Sequence, residues 1–247
     1  MTTGISESFS SIQGEGRYVG CRQLFIRFIG CNMDCPYCDT NEMAHNNVPC
    51  VLEPAAGYEG ALKLANPVSF DELMPYIAFR LRQKHHSISL TGGEPLLHTA
   101  AIKELAARLK TFSLPLFLET NGTLYDNLAK VIDDVNIISM DMKLPSDTKE
   151  NHWHEHRRFL ELAVQQHKDI YVKIVVSNES TAEDFAQALD IIKDVDKSTL
   201  LVLQPITPMG GLHPSEPQKL LDWQSRALDV LDDVRVIPQT HRMMNVL

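Results

Sequence analysis

Short apolar runs alternate with amphipathic stretches along most of the chain, and this rhythm constrains its fold more than any other feature. Residues 24–29, 87–90, 116–119, 135–142, 170–176 and 200–204 have the length and content of buried strands. Helical patterns occupy 70–84, 100–109, 124–132, 156–166, 183–193 and 217–232. The first of these opens with Ser69-Phe-Asp-Glu72, whose spacing is that of a capping box. Pro115 sits just before the third strand, where a missing N–H is tolerated. Strands and helices in strict alternation build an α/β fold on a largely parallel sheet. Six strands fall short of the eight that close a barrel. The expectation is a partial, open TIM-type barrel of about six parallel strands with outer helices, one domain over 1–247. The rhythm breaks once, at 41–67, where Pro49, Pro54, Gly57, Gly60 and Pro67 leave little periodicity. That insertion reads as a cover over a site or as a tolerated surface loop.

Composition narrows the classes of function. Lys plus Arg number 23 against 32 for Asp plus Glu, a net charge of −9 with His neutral. A chain this acidic lacks the basic footprint of a duplex binder, so direct contact with nucleic acid is not expected. No apolar run approaches the roughly 20 residues of a membrane span. The first residues have neither a basic start nor an apolar core, so no signal peptide is visible. The expected setting is the cytoplasm, where clustered cysteines mean metal or redox chemistry rather than disulfides.

Three of the five cysteines fall together as Cys31-Asn-Met-Asp-Cys35-Pro-Tyr-Cys38, a C-x3-C-x2-C spacing. Three thiolates on one loop suit a metal cluster held by a short segment. A structural zinc would want a fourth ligand, for which Cys50, Cys21 and His45 are the candidates. A [4Fe–4S] cluster held by three thiolates leaves one iron open to a reactant. Three unrelated neighbouring thiols remain the plain alternative.

Polar residues gather where strands end, which is where α/β folds of this kind bind ligands. The first strand runs into Cys31, and the second into Thr91-Gly92-Gly93-Glu94-Pro95. Paired glycines let backbone approach a ligand closely. The third strand ends in Glu119-Thr-Asn-Gly122, the sixth in Gln204-Pro205. The fourth ends in Ser139-Met-Asp141-Met-Lys143, whose alternation sets Ser139, Asp141 and Lys143 on one face. Arg27 interrupts an apolar strand: it lies either in solvent on an edge strand or inside, as a fork for a substrate carboxylate. The opening Ile12-Gln13-Gly14-Glu15-Gly16 reads equally as a plain loop or as backbone curled against a small molecule. His152, His154 and His156 read as polar loop before a helix rather than as metal ligands, and His85 and His86 as a helix end.

With these residues placed, the chain resembles the radical S-adenosylmethionine (SAM) enzymes, on Cys31, Cys35, Cys38 and Gly92-Gly93-Glu94-Pro95. More narrowly it is similar to the 7-carboxy-7-deazaguanine synthases of the queuosine and deazapurine pathways. That likeness rests on Ser11-Ile-Gln-Gly-Glu-Gly16, Arg27, Cys38-Asp39-Thr40, Lys143-Leu-Pro-Ser146 and Gln239-Thr-His241-Arg242, and it covers essentially the whole chain. It implies a [4Fe–4S] cluster on Cys31, Cys35 and Cys38, with SAM on its open iron. It further implies Mg²⁺ at Thr40, and SAM contacts from Tyr37, Asp39, Gly93, Glu94, Asp141, Met142, Lys143 and Gln204. Ile12, Gln13, Gly14, Glu15, Arg27, Thr91 and His241 would hold a 6-carboxy-5,6,7,8-tetrahydropterin. The implied reaction begins with hydrogen abstraction at C6 of that pterin and ends, after ring contraction and loss of ammonia, in 7-carboxy-7-deazaguanine. A reducing flavodoxin or ferredoxin and a homodimer are implied as partners. Two other readings stay open: a glycyl-radical-enzyme activase, which uses the same cysteine spacing on a protein substrate, and a non-catalytic metal-binding module.

Overall fold

The structure, a computed structural model, describes residues 2–38, 40, 48–53, 61–208 and 210–246. Its strands are β1 (Thr2–Thr3), β2 (Ile5–Ile12), β3 (Arg22–Phe28), β4 (Cys50–Leu52), β5 (Leu62–Leu64), β6 (Val68–Ser69), β7 (Ser87–Gly92), β8 (Leu116–Thr120), β9 (Ile137–Asp141), β10 (Asp169–Val176), β11 (Leu201–Pro205) and β12 (Val234–Val236). Ten of them form one sheet in the order β12-β11-β10-β9-β8-β7-β3-β2-β4-β5. From β3 across to β12 every neighbouring pair is parallel. The two ends of this order are not hydrogen-bonded to each other, so the barrel stays open. The six expected strands are β3 and β7 to β11. The parallel run is longer by β12, whose three residues, with Arg235 in the middle, are too few to show a pattern.

Strand β2, antiparallel to β3, also escaped the hydrophobic pattern. Ser6 and Ser8 are buried in it, which is affordable because their hydroxyls donate to the Arg27 and Phe25 carbonyls. The described part of 41–67 holds two short strands that extend the sheet: β4 joins β2 and β5 joins β4. Cys50 and Leu52 alternate inward there, a pattern too short to register as a strand.

Helices connect the parallel strands at Phe70–Arg80, Thr99–Leu109, Tyr125–Val131, Trp153–Gln165, Ala182–Asp196 and Pro217–Leu228. The first begins as its sequence requires: Ser69 Oγ accepts from Glu72 N at 3.3 Å, and Glu72 Oε2 accepts from Ser69 N at 3.2 Å. It ends at Arg80, before His85 and His86. His85 is instead buried against Ser10, at 2.8 Å from its hydroxyl.

Period-two alternation divides the strand residues between two faces. Leu118, Ile138, Met140, Val172, Ile174, Leu201 and Leu203 join Leu105, Phe159, Ile192 and Trp223 from the helices in one continuous core. The opposite face starts at the amino ends with an apolar plug of Phe117, Ile137, Tyr171 and Val202. Two residues further along the same strands that face carries Glu119, Ser139, Lys173 and Gln204. The change from plug to polar floor creates the site.

Candidate active site

A cavity of about 250 Å³ opens over that floor at the carboxyl ends of the strands. Cys31, Cys35 and Cys38, on the loop leaving β3, all line it. Burial raises the Cys31 thiol and pushes Cys35 up to about 11, so a metal must draw these protons off before the sulfurs become ligands. Among the described residues no three His, Cys, Asp or Glu side chains close around a single ion. Cys50 is packed in the core, away from a zinc-ligand role; His45 lies outside the described residues. The thiols that face the cavity are three, all from one loop, a set that fits a cluster with a spare corner.

The Gly92-Gly93 turn runs directly beneath this loop. A Cβ on Gly93 would stand 2.0 Å from the Gly30 carbonyl, and Gly92 has φ +126°. Glu94 N donates to Gly30 O at 2.7 Å, tying the two segments together. The Glu94 side chain does not line the cavity. It is fully buried and accepts from Leu96 N, Thr120 Oγ1 and Asn121 N at 3.0, 2.9 and 2.8 Å, bracing the turn against the end of β8. Burial lifts its pKa to about 7. Met142 likewise points away: alternation that turns Asp141 inward sends Met142 into the outer core.

Beside the cysteines the cavity wall carries Tyr37, Asp141 and Lys143, and Gln204 lines it as well. Lys143 Nζ is 2.7 Å from Asp141 Oδ2 and 4.9 Å from the centre of the Tyr37 ring. Burial alone would raise Asp141, but Lys143 and Lys173 outweigh it and hold the carboxyl below its ordinary range. Asp141 Oδ1 and Gln204 Oε1 are buried without a hydrogen-bond partner among the described residues. Two unpartnered acceptors in a cavity wall match the hydroxyl and amino donors of a nucleoside. Asp39 lies outside the described residues.

The other end is densely bonded. Glu119 accepts from Gln13 Nε2 at 2.8 Å, Ser89 Oγ at 3.0 Å and Thr91 Oγ1 at 2.7 Å. Gly14 has its carbonyl on Thr240 N at 2.9 Å, and a Cβ there would meet His241 Nδ1 at 2.2 Å. Ile12, Glu15 and His241 complete this wall. Arg27 belongs to a central strand, only 18% exposed, and lines the cavity with its Nε donating to Glu7 Oε1 at 2.6 Å. Of the two sequence readings of Arg27, the exposed edge is overturned. Thr40, also in the wall, has Oγ1 3.7 Å from Cys38 Sγ.

The histidine cluster is corrected as well. His154 and His156 lie in the helix Trp153–Gln165, and fully buried His156 has Nε2 3.1 Å from the Asn121 carbonyl. Residues absent from the sequence reading are Glu7, Lys173 and Tyr171. A lysine in the otherwise apolar Ile170–Val176 stretch is the same signal that singled out Arg27.

Residues 25–223 match the sequence model of the radical SAM superfamily. The chain is 41% identical to the 7-carboxy-7-deazaguanine synthase of Geobacter sulfurreducens, over 98% of this chain and 97% of that protein. It belongs to this family of radical SAM enzymes. It is also 33% identical to the Archaeoglobus fulgidus 7-carboxy-7-deazaguanine synthase, over the full length of both. Among solved structures, QueE from Escherichia coli has the same fold at a TM-score of 0.63 and 20% identity, over 98% of this chain and 95% of that one. The enzyme anSMEcpe with bound AdoMet aligns at 0.55 and 17% identity, over 84% of this chain and 58% of that one. No helix among the described residues is long and apolar enough to cross a membrane.

Proposed function

We propose that this chain converts 6-carboxy-5,6,7,8-tetrahydropterin to 7-carboxy-7-deazaguanine and ammonia. The observation that carries the reading is one cavity with the three cysteines and the unpartnered Asp141 Oδ1 at one end and the Gln13–Glu119 network with Arg27 at the other. When bound, the cluster and SAM supply reductive cleavage of a carbon–sulfur bond and a carbon radical able to take hydrogen from a C–H bond. Substrate and product differ by one ammonia, so the net conversion needs no external oxidant, which supports use of SAM as a true cofactor.

The chain's own part is to hold and to exclude. Cys31, Cys35 and Cys38 would ligate the cluster, and the backbone at Gly93 would accept from the SAM amino group. Asp141 Oδ1 and Gln204 Oε1 accept from the nucleoside, Tyr37 stands beside it, and Asp39 is assigned to the same ligand on its sequence motif alone. Glu94 acts from behind by bracing the turn, Met142 through its backbone, and Lys143 by orienting Asp141. Arg27 receives the pterin carboxylate, a task for which a planar guanidinium is suited. Gln13, Gly14, Glu15 and Thr91 take the polar edge of the ring, and Ile12 and His241 close the pocket. Thr40 offers a hard oxygen to Mg²⁺, which otherwise keeps waters and substrate oxygens. The same reading gives the enzyme a flavodoxin or ferredoxin as electron donor, a second copy as dimer partner and a cytoplasmic setting.

The test is anaerobic reconstitution with iron and sulfide, followed by reductant, SAM, Mg²⁺ and the carboxytetrahydropterin. A deazaguanine chromophore and equimolar ammonia are expected. Intact iron loading and SAM cleavage with no turnover of the pterin would overturn the assignment.

A further inference from the structure

The N-terminal Gln13–Gly16 segment is seated on β10 at two successive inward positions. Gly16, at φ +64°, lies so close to Tyr171 that a Cβ would stand 2.2 Å from its hydroxyl. One inward residue further, Lys173 Nζ meets Glu15 Oε2 at 2.5 Å. Lys173 is also in register with Asp141 on the neighbouring parallel strand, its Nζ 3.5 Å from Asp141 Oδ2. Glu15 Oε1 is held by Gln239 Nε2 at 2.7 Å. One ammonium thus stands between a carboxylate at the substrate end of the cavity and a carboxylate at the nucleoside end.

We infer that Lys173 is a positioning residue that joins the two ends of the cavity, holding Glu15 for the pterin and Asp141 for SAM at the same time. The inference rests on the proposed function and adds to it a residue outside all the sequence motifs. The side chains of Lys173, Glu15 and Asp141 are all mostly shielded from water, at 12%, 23% and 16% exposure. Charges so shielded stay in place only when paired. Lys143 already neutralises Asp141 at 2.7 Å, so the second cation on Asp141 serves alignment rather than neutralisation. With Oδ2 drawn by both lysines, Oδ1 is left as the acceptor for the ligand. For Glu15, Lys173 is the close cation, and His241 adds a weaker attraction. The ammonium cannot act as a base at neutral pH: burial disfavours its charge, but Asp141 and Glu15 outweigh burial and raise its pKa. Its contribution is therefore geometric and electrostatic.

The test compares anaerobically reconstituted wild-type enzyme with Lys173→Met, Lys173→Arg, Glu15→Gln and the Glu15→Gln/Lys173→Met double variant. Iron content, equilibrium affinity for SAM, and KM and kcat for the carboxytetrahydropterin are read for each. Lys173→Met is expected to keep its iron, raise the pterin KM by about tenfold or more and weaken SAM binding several-fold. Lys173→Arg recovers most of both. The double variant has a pterin KM no worse than the poorer single variant, because Lys173 acts on the pterin through Glu15. A Lys173→Met enzyme with full iron and both affinities within twofold of wild type overturns the inference, as do losses that multiply in the double variant. Where Lys173→Met fails to fold, Lys173→Gln against Lys173→Arg decides by the same criteria. Wild-type enzyme that does not convert the pterin overturns the proposed function instead, while the SAM affinities still report on Lys173.

Discussion

The two ends of the cavity are built in opposite ways. At the cysteine end the sulfurs are half-buried thiols, Cys38 approaching Thr40 at 3.7 Å, and among the described residues Asp141 Oδ1 has no partner, nor has Gln204 Oε1 elsewhere in the wall. At the substrate end Glu119 takes three side-chain donors and Glu15 takes two more. The first end is completed by what binds there. The second is completed by the chain itself, so its shape exists before substrate arrives. A ligand entering a preformed polar site loses less in ordering the protein, which favours orientation over mere capture.

The sharpest way to break this contrast is to remove one thiol. Cys35→Ala is expected to lose cluster iron and fall to background activity while its thermal midpoint stays near that of apo wild type. Collapse of the fold would mean that the loop has a structural role as well. Cys50→Ser, in the core, is expected to do the reverse: full iron, with stability lower by about 1–2 kcal/mol. Arg27→Ala comes next, raising the pterin KM by about 100-fold with kcat less affected. A KM that does not move would place the carboxylate elsewhere. Thr40→Ala probes the border between the ends. It is expected to raise the Mg²⁺ concentration needed for half-maximal rate several-fold with iron content intact.

The last test concerns stability against pH. Burial alone would raise the Glu15 carboxyl, but Lys173, with Gln239 and His241, outweighs it and lowers the pKa from 4.5 to about 2. A folded-state value below the unfolded one stabilises above pH 4.5, and the gain is lost as the pH falls from there towards 2. Glu15→Gln is therefore expected to be less stable than wild type at pH 7, by up to about 3 kcal/mol, with the gap closing between pH 4.5 and 2. Denaturant midpoints at pH 7, 5 and 3 measure this. A constant gap would show that the pair does not survive in solution.

How far the sequence discloses this arrangement depends on the kind of force involved. The strands β3 and β7 to β11 were legible because burial on an apolar face leaves long runs, and Ser69 and Glu72 marked their helix start through a local hydrogen-bond pattern. The cysteine loop and the paired glycines were legible because their chemistry needs those residue types close together. Strand β2 was not, because Ser6 and Ser8 satisfy their hydroxyls on the next strand, and hydropathy does not register a bond across a sheet. Lys173 was missed for a related reason: its partners lie 158 and 32 positions away, as Glu15 and Asp141. The side chains of Glu94 and Met142 show the reverse case. Motif adjacency suggested ligand contact, whereas period-two geometry and a buried set of backbone donors turned both away from the cavity.

The bond between Gly14 and Thr240 has a consequence for how the enzyme comes into being. A nascent chain can pair its parallel strands one after another as it leaves the ribosome, but the wall formed by His241 is made after all of them. Until then the basin stands open to water along that side. Whatever lies in the basin is therefore better screened from solvent once these two distant segments have met.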